Sequence, residues 1–321
     1  MADIKSGRLI ILSGPSCVGK SPLVKALAKF HPELLKTMKS FVLYNSRAPR
    51  SGEVDGVDYH FRTRAHIESL NGNERFVVMD VRGDLQAVDL QELSEQLTEG
   101  NVFFEGNPFV GRTLQIHPAL AGVKRLSVFM SPLTRAEILF LTRAECSVSF
   151  PDLVTDVMRR KLLRRTRRQK TELSLKDLEN IERRASSAYG ELKEACFFQH
   201  VIPNHDGEDS ENWDAFYYPL GDALAAVNAF VALLTGERLR GLNNGNMAWY
   251  PETPRRAVQK PVTSKEKIAA IFGVALTLLV ILFFAGPTAK IDTHLKLLAL
   301  PDDLDHYLIQ TMRPKRECRN C

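Results

Sequence analysis

The sequence predicts an α/β fold with a mainly parallel sheet flanked by helices, followed near the C-terminus by a single transmembrane helix. Three observations carry this. Strand-like and helix-like segments alternate through residues 1–236, the pattern of a parallel sheet with crossover helices. A short apolar strand, a glycine-rich turn and a helix follow one another at the start. Residues 268–286, IAAIFGVALTLLVILFFAG, contain neither charge nor proline, and at 1.5 Å per residue they span roughly 28 Å, close to the hydrocarbon thickness of a bilayer.

Taken in order, residues 8–12 (RLIIL) form a buried strand that ends at Ser13-Gly14-Pro15, and residues 20–30 form a helix with apolar positions at Leu23, Leu27 and Phe30. Further buried strands are expected at 76–81, 102–104, 125–130 and 200–202, and helices at 90–97, 133–141, 175–194 and 222–234. Residues 237–267 are rich in Asn, Pro and charge and read as a linker. The span at 268–286 and a tail at 287–321 complete the chain.

Forty-three Lys and Arg against 38 Asp and Glu give a net charge of +5 over 321 residues, too mild a bias to predict a nucleic-acid partner. Five sparse cysteines do not make a disulfide scaffold, so a reducing compartment is expected for the main body. The N-terminal apolar run is too short for a signal peptide. Around the apolar span, Arg255, Arg256, Lys260, Lys265 and Lys267 precede it and only Lys290 and Lys296 follow closely. The positive-inside rule therefore puts the N-terminal domain in the cytoplasm of a single-pass protein, with Cys318 and Cys321 on the far side.

The strongest chemical motif is Gly14-Pro15-Ser16-Cys17-Val18-Gly19-Lys20-Ser21, a full match to the phosphate-binding P-loop. Its backbone N–H groups cradle phosphate oxygens at a helix N-terminus. Lys20 reaches the β- and γ-phosphates of ATP, and the Ser21 hydroxyl holds Mg²⁺. In a second motif, SRAPRSGEVDGVDYHF from Ser46 to Phe61, two guanidinium forks stand beside a phenol, a set suited to a dianionic phosphate.

Together these motifs resemble guanylate kinases, P-loop nucleoside monophosphate kinases that carry TR-x-PR-x-GE-x-x-G-x-DY-x-F at this distance from the P-loop. The resemblance implies that Arg47, Arg50 and Tyr59 hold the acceptor phosphate, with GMP as the acceptor. A third stretch, IERRASSAYGEL from Ile181 to Leu192, is similar to the family helix I-x-x-RL-x-x-A-x-x-EL and puts Arg184 on the transferring phosphoryl group. Eight basic residues in the 12 from 159 to 170 resemble the family's arginine lid, with Arg167 or Arg168 expected to act and Arg168 assigned.

The likeness covers about residues 7–235 and has gaps. Leu43 stands where a serine is usual, and Val78 where a glutamate reads the guanine edge. No tyrosine follows, and Asn107 aligns with the aspartate of the next strand. Asp80, Asp84 or Glu105 are candidates to stand in for these. Insertions are expected around 146–157 and 207–218. The sequence thus predicts a guanylate kinase-like enzyme with an unreadable base pocket. Its alternatives are a kinase for another phosphorylated acceptor, or a membrane-tethered nucleotide-binding scaffold or regulator without kinase activity.

Overall fold

A computed structural model of the chain describes residues 7–50, 52–143 and 147–236. The linker, the apolar stretch 268–286 and the tail with Cys318 and Cys321, all read from the sequence, lie outside these residues. Among the described residues no helix is long and apolar enough to cross a membrane.

In chain order the elements are β1 (Arg8–Ser13), α1 (Lys20–Phe30), α2 (Pro32–Lys36), β2 (Met38–Ser40), β3 (Tyr44–Asn45), β4 (His60–Phe61), α3 (Arg64–Ser69), β5 (Phe76–Val81), β6 (Asp84–Asp89) and α4 (Leu90–Glu99). There follow β7 (Asn101–Gly106), α5 (Pro108–Ile116), β8 (Lys124–Ser131), α6 (Arg135–Leu141), α7 (Phe150–Gln169), α8 (Leu175–Ser186), α9 (Ala188–Lys193), β9 (His200–Pro203) and α10 (Gly221–Thr235).

Five strands form a parallel sheet in the order β2-β7-β1-β8-β9. Successive side chains of β1 point to opposite faces, so Leu9 and Ile11 join one core while Ile10 and Leu12 join the other. The first core takes Leu93 and Leu97 of α4 and Met158 and Leu162 of α7. The second takes Leu23 and Leu27 of α1 and Val227 and Phe230 of α10. With both faces covered, the central strands can be continuously apolar. Strand order reverses beside β1, which opens a crevice at the carboxyl ends of the strands.

A second sheet, β4-β3-β6-β5, stands on its own small core of Ile67, Leu85 and Ala87. The strand expected at 76–81 belongs here. It is a half-buried edge strand antiparallel to β6, not a central one, because the two-residue turn Arg82–Gly83 folds it straight back. The helix expected over 175–194 is broken at Ser187, whose hydroxyl lies 3.0 Å from the Arg184 carbonyl and 2.9 Å from Glu191 Oε1. A side-chain oxygen in reach of a backbone carbonyl competes with helix continuation. Residues 150–169, read partly as an insertion and partly as a lid, form one long helix that begins on Phe150-Pro151, with proline in the first turn where its missing N–H costs nothing.

Candidate active site

The loop between β1 and α1 wraps inward on three positive φ angles, at Gly14 (155°), Cys17 (68°) and Gly19 (105°). Gly19 is obligatory on two counts. Its φ disfavours a side chain, and a Cβ there would stand 2.4 Å from Asn204 Nδ2 and 2.9 Å from the Trp213 ring. Asn204 in turn donates to the Val18 carbonyl at 2.8 Å, so the segment after β9 forms the outer wall of the loop. Cys17 is buried in it, and burial, helped by the nearby Glu208, pushes its thiol up to about 12.

Lys20 is folded back onto the loop, donating to the carbonyls of Gly14 and Pro15 at 2.9 Å each. Burial lowers its pKa, opposed by the carboxylates of Glu208 and Glu105. Ser21 Oγ donates to Glu105 Oε1 at 3.0 Å. Glu105 sits near the end of β7, where Leu12 of β1 pairs with it, and burial raises its pKa against the pull of Lys20. A hydroxyl in the first turn of α1 and a carboxylate at the C-terminal end of β7 are hard oxygen donors of the kind Mg²⁺ requires.

Opposite the loop, Arg184 of α8 donates from Nε to Ser16 Oγ at 2.9 Å. It is half-buried and, among the described residues, forms no ion pair with a carboxylate. Burial, then the charges of Arg165, Arg50 and Arg82, drive its pKa well below the usual guanidinium value. A guanidinium set beside the charges of Arg165, Arg50 and Arg82, with Glu208 acting against them, favours an anionic ligand.

Arg47 makes a two-pronged ion pair with Glu53, at 2.6 and 2.7 Å. Glu53 also accepts from the Arg50 backbone N–H at 2.7 Å and lies 3.7 Å from the Arg50 guanidinium. The Arg47 guanidinium stands 5.0 Å over the Tyr59 ring, and burial raises the Tyr59 phenol. One cleft is thus lined by Gly14, Ser16, Lys20 and Ser21 on one side, Asn45, Arg47, Arg50, Tyr59, Asp84 and Gln86 on another, and Arg165, Arg184 and Glu208 above.

Of the basic run, Arg165 is the residue that lines this cleft, bonded to Glu208 at 2.6 Å. Arg168, assigned from the sequence, is outside the lining and pairs with Glu211 at 3.1 Å. Arg164 pairs with Asp209 at 2.7 Å, and Arg167 is likewise outside the lining. Three further residues turn on the fold. Val78 packs into the small core of the second sheet, facing away from the cleft; the hairpin face toward the main core is Val77, Met79, Val81 and Val88. Asp80 accepts from Gly83 N within its own turn. Asn107 lines the cleft, caps α5 and donates to Glu191. Sequence reasoning placed Arg165 in the lid run without singling it out, gave no role to Glu208 or Arg82, and considered Glu105 only for base reading; the place of Glu105 at a strand end after an apolar run was the available signal.

A parallel sheet with a P-loop at its switch point and arginines facing it across a crevice defines a P-loop phosphoryl-transfer fold. The guanylate kinase family model matches residues 6–87. Guanylate kinase from Corynebacterium glutamicum is 31% identical over 205 residues, covering 64% of this chain and 90% of that protein, and this chain belongs to the guanylate kinase family. Guanylate kinase from Synechococcus sp. is 27% identical over 215 residues, 66% of this chain and 83% of that protein. The match to the Nocardia farcinica enzyme is higher, 41% over 83 residues, but spans only 41% of its length. Similarity is thus concentrated in the first third of the chain. A solved guanylate kinase from Anaplasma phagocytophilum aligns at 17% identity with a TM-score of 0.40, so the assignment rests on the sequences.

Proposed function

We propose that this chain transfers the γ-phosphoryl group of ATP to GMP. One observation carries the reading beyond family membership: the half-buried Arg184, without a carboxylate partner among the described residues, is fixed to the P-loop by Ser16 and lines one cleft with Lys20 and Arg50. It sits where a phosphoryl group passing between two phosphate sites would need its charge neutralised.

The P-loop amides and Lys20 hold the donor phosphates, and Lys20 leaves its two carbonyls to do so. Arg47, Arg50 and Tyr59 hold the acceptor phosphate, whose approach displaces Glu53 from the two arginines. An acceptor phosphate oxygen is already a nucleophile, so positioning and charge neutralisation supply the catalysis and no general base is required. Ser21 and Glu105 fit Mg²⁺, which when bound neutralises donor phosphate charge. Arg184 and Arg165 close over the transferring group and exclude water.

The same reading takes residues 268–286 as a membrane span with the kinase domain, residues 1–236, on the cytoplasmic side, where ATP and magnesium are available. The uncharged apolar run and the excess of Lys and Arg before it support this. A membrane-impermeant maleimide applied to intact cells should label Cys318 and Cys321 after reduction; a tail that stays unlabelled would remove the crossing.

The activity is tested with the purified full chain, ATP, magnesium and GMP, following products by phosphorus NMR. ADP and GDP should form in equal amounts. ADP without GDP, or neither, would overturn the reading.

A further inference from the structure

The hairpin of the acceptor sheet turns on a residue that the turn itself does not favour. Val81 pairs with Asp84, leaving Arg82 and Gly83 as a two-residue loop with φ of 61° and 86°. Such a loop wants Asn-Gly, since both central residues are left-handed. Arginine at the first position carries a strain that asparagine or glycine would relieve, so its side chain must contribute something the turn does not need.

That side chain leaves the acceptor sheet and reaches α9. Its Nε donates to Glu191 Oε1 at 2.6 Å, and its Nη2 forms an ion pair with the same oxygen. Glu191 is fully buried. The same Oε1 accepts from Asn107 Nδ2 at 3.0 Å and lies 2.9 Å from Ser187 Oγ, while Oε2 has no partner among the described residues. The carboxylate therefore grips one edge of the guanidinium from a rigid seat between β7, α8 and α9. Nη1 has no protein partner among the described residues, and Arg82 lines the cleft. Its charge reaches both phosphate-handling cations, lowering the pKa of Lys20 and of Arg184.

We propose that Arg82 is a further acceptor-phosphate ligand, presented to the cleft by Glu191 as its positioning residue. This rests on the acceptor site proposed above. Glu191 neutralises one edge of the fork and fixes its plane, and the free edge offers paired N–H donors to a phosphate already held by Arg47 and Arg50. The contact also ties the acceptor sheet to α9, which follows directly on the helix bearing Arg184, so phosphate capture and alignment for transfer share one side chain.

The test uses the full chain and two variants. Arg82→Asn supplies the Asn-Gly pair the turn favours but strands Glu191 without its cation, which alone can destabilise the fold. The double variant Arg82→Asn/Glu191→Gln removes both charges and keeps the shape. It should melt like the parent, with KM for GMP raised about tenfold or more, as for a lost charged hydrogen bond, and KM for ATP within about twofold. Glu191→Gln alone, which leaves Arg82 in place but loosely held, should raise KM for GMP by a smaller factor. A folded double variant with the parent's KM for GMP would overturn the proposal and leave Arg82 a turn anchor. If the parent itself does not phosphorylate GMP, the proposed function has failed; Arg82 is then read by inorganic phosphate binding measured by calorimetry. The double variant should bind about tenfold more weakly than the parent, and equal affinity would overturn the inference.

Discussion

The donor and acceptor sides of the cleft are built on opposite principles. The donor side is one contiguous loop, residues 14–21, that works through backbone amides and is closed by a glycine that tolerates no Cβ. The acceptor side is assembled from side chains of separate elements: Asn45 on β3, Arg47 and Arg50 in the following loop, Tyr59 before β4, and Asp84 and Gln86 on β6. A backbone-built site can hardly vary without losing its shape. A side-chain site can exchange its readers one at a time, because each is carried by its own strand. This accounts for an intact P-loop beside an acceptor hairpin that keeps Asp84 and Gln86 at the cleft but turns Val78 away from it.

If that contrast holds, the largest effect belongs to the donor side. Lys20→Ala should lower kcat by about 10³-fold, since a cation aimed at developing phosphate charge is lost. The melting temperature should hold or rise, because the substitution removes a desolvated ammonium; unchanged turnover would take the P-loop out of the mechanism. Next, Arg47→Ala or Arg50→Ala should weaken GMP binding by about 1.5 to 3 kcal/mol, the range for hydrogen bonds to charged groups, while leaving ATP affinity alone. Calorimetry with each nucleotide separately checks this, and a collapse of ATP affinity instead would merge the two sides into one.

A smaller effect sharpens the donor side. Glu208 holds Arg165 as a phosphate would, and although burial pushes its carboxyl up, Arg165 and then Lys20 hold it below the usual carboxylate range. Glu208→Gln should free Arg165 and lower KM for ATP by a few-fold; a raised KM would mean that Glu208 orients Arg165 instead of competing for it. The smallest effect lies in the wall of the P-loop. Burial lowers the His205 pKa, but its contacts to Glu137 at 2.8 Å and Asp222 at 2.6 Å more than reverse this, leaving it above 6.5. A pKa raised on folding contributes stability that is full below the unfolded value, near 6.5, and is lost as pH rises through the folded value. The melting temperature of the parent should therefore exceed that of His205→Asn by more at pH 6 than at pH 9. An equal margin at both would show that the histidine is bound by shape alone.

The sequence was most legible where local geometry and chemistry coincide. Helix α1 was read at its observed bounds because Gly19 and Lys20 mark both a helix start and a phosphate site. β8 and β9 were read within a residue or two, β8 because a parallel strand buried on both faces is a short apolar run and β9 because Val201 and Ile202 pack into the two cores. The hairpin was misread because its register depends on a two-residue turn at Arg82–Gly83 that carries an arginine where Asn would announce it. A count along β5 then put Val78 at the base, whereas the pleat turns Val77 and Met79 toward the main core. The arginine that lines the cleft was also out of reach. Arg165 differs from Arg164 and Arg168 in which carboxylate after β9 it meets, a pairing across 43 positions.

The most direct test of the account compares kcat/KM of the full chain for GMP and AMP under the same MgATP. A cleft that offers Asn45, Asp84, Gln86 and Asn107 to the base predicts a preference for GMP of about 10⁴ or more, the range that paired, buried polar groups achieve. A ratio of no more than about 10²-fold is what an apolar pocket supplies, and would contradict the account by showing that the base edge is not read.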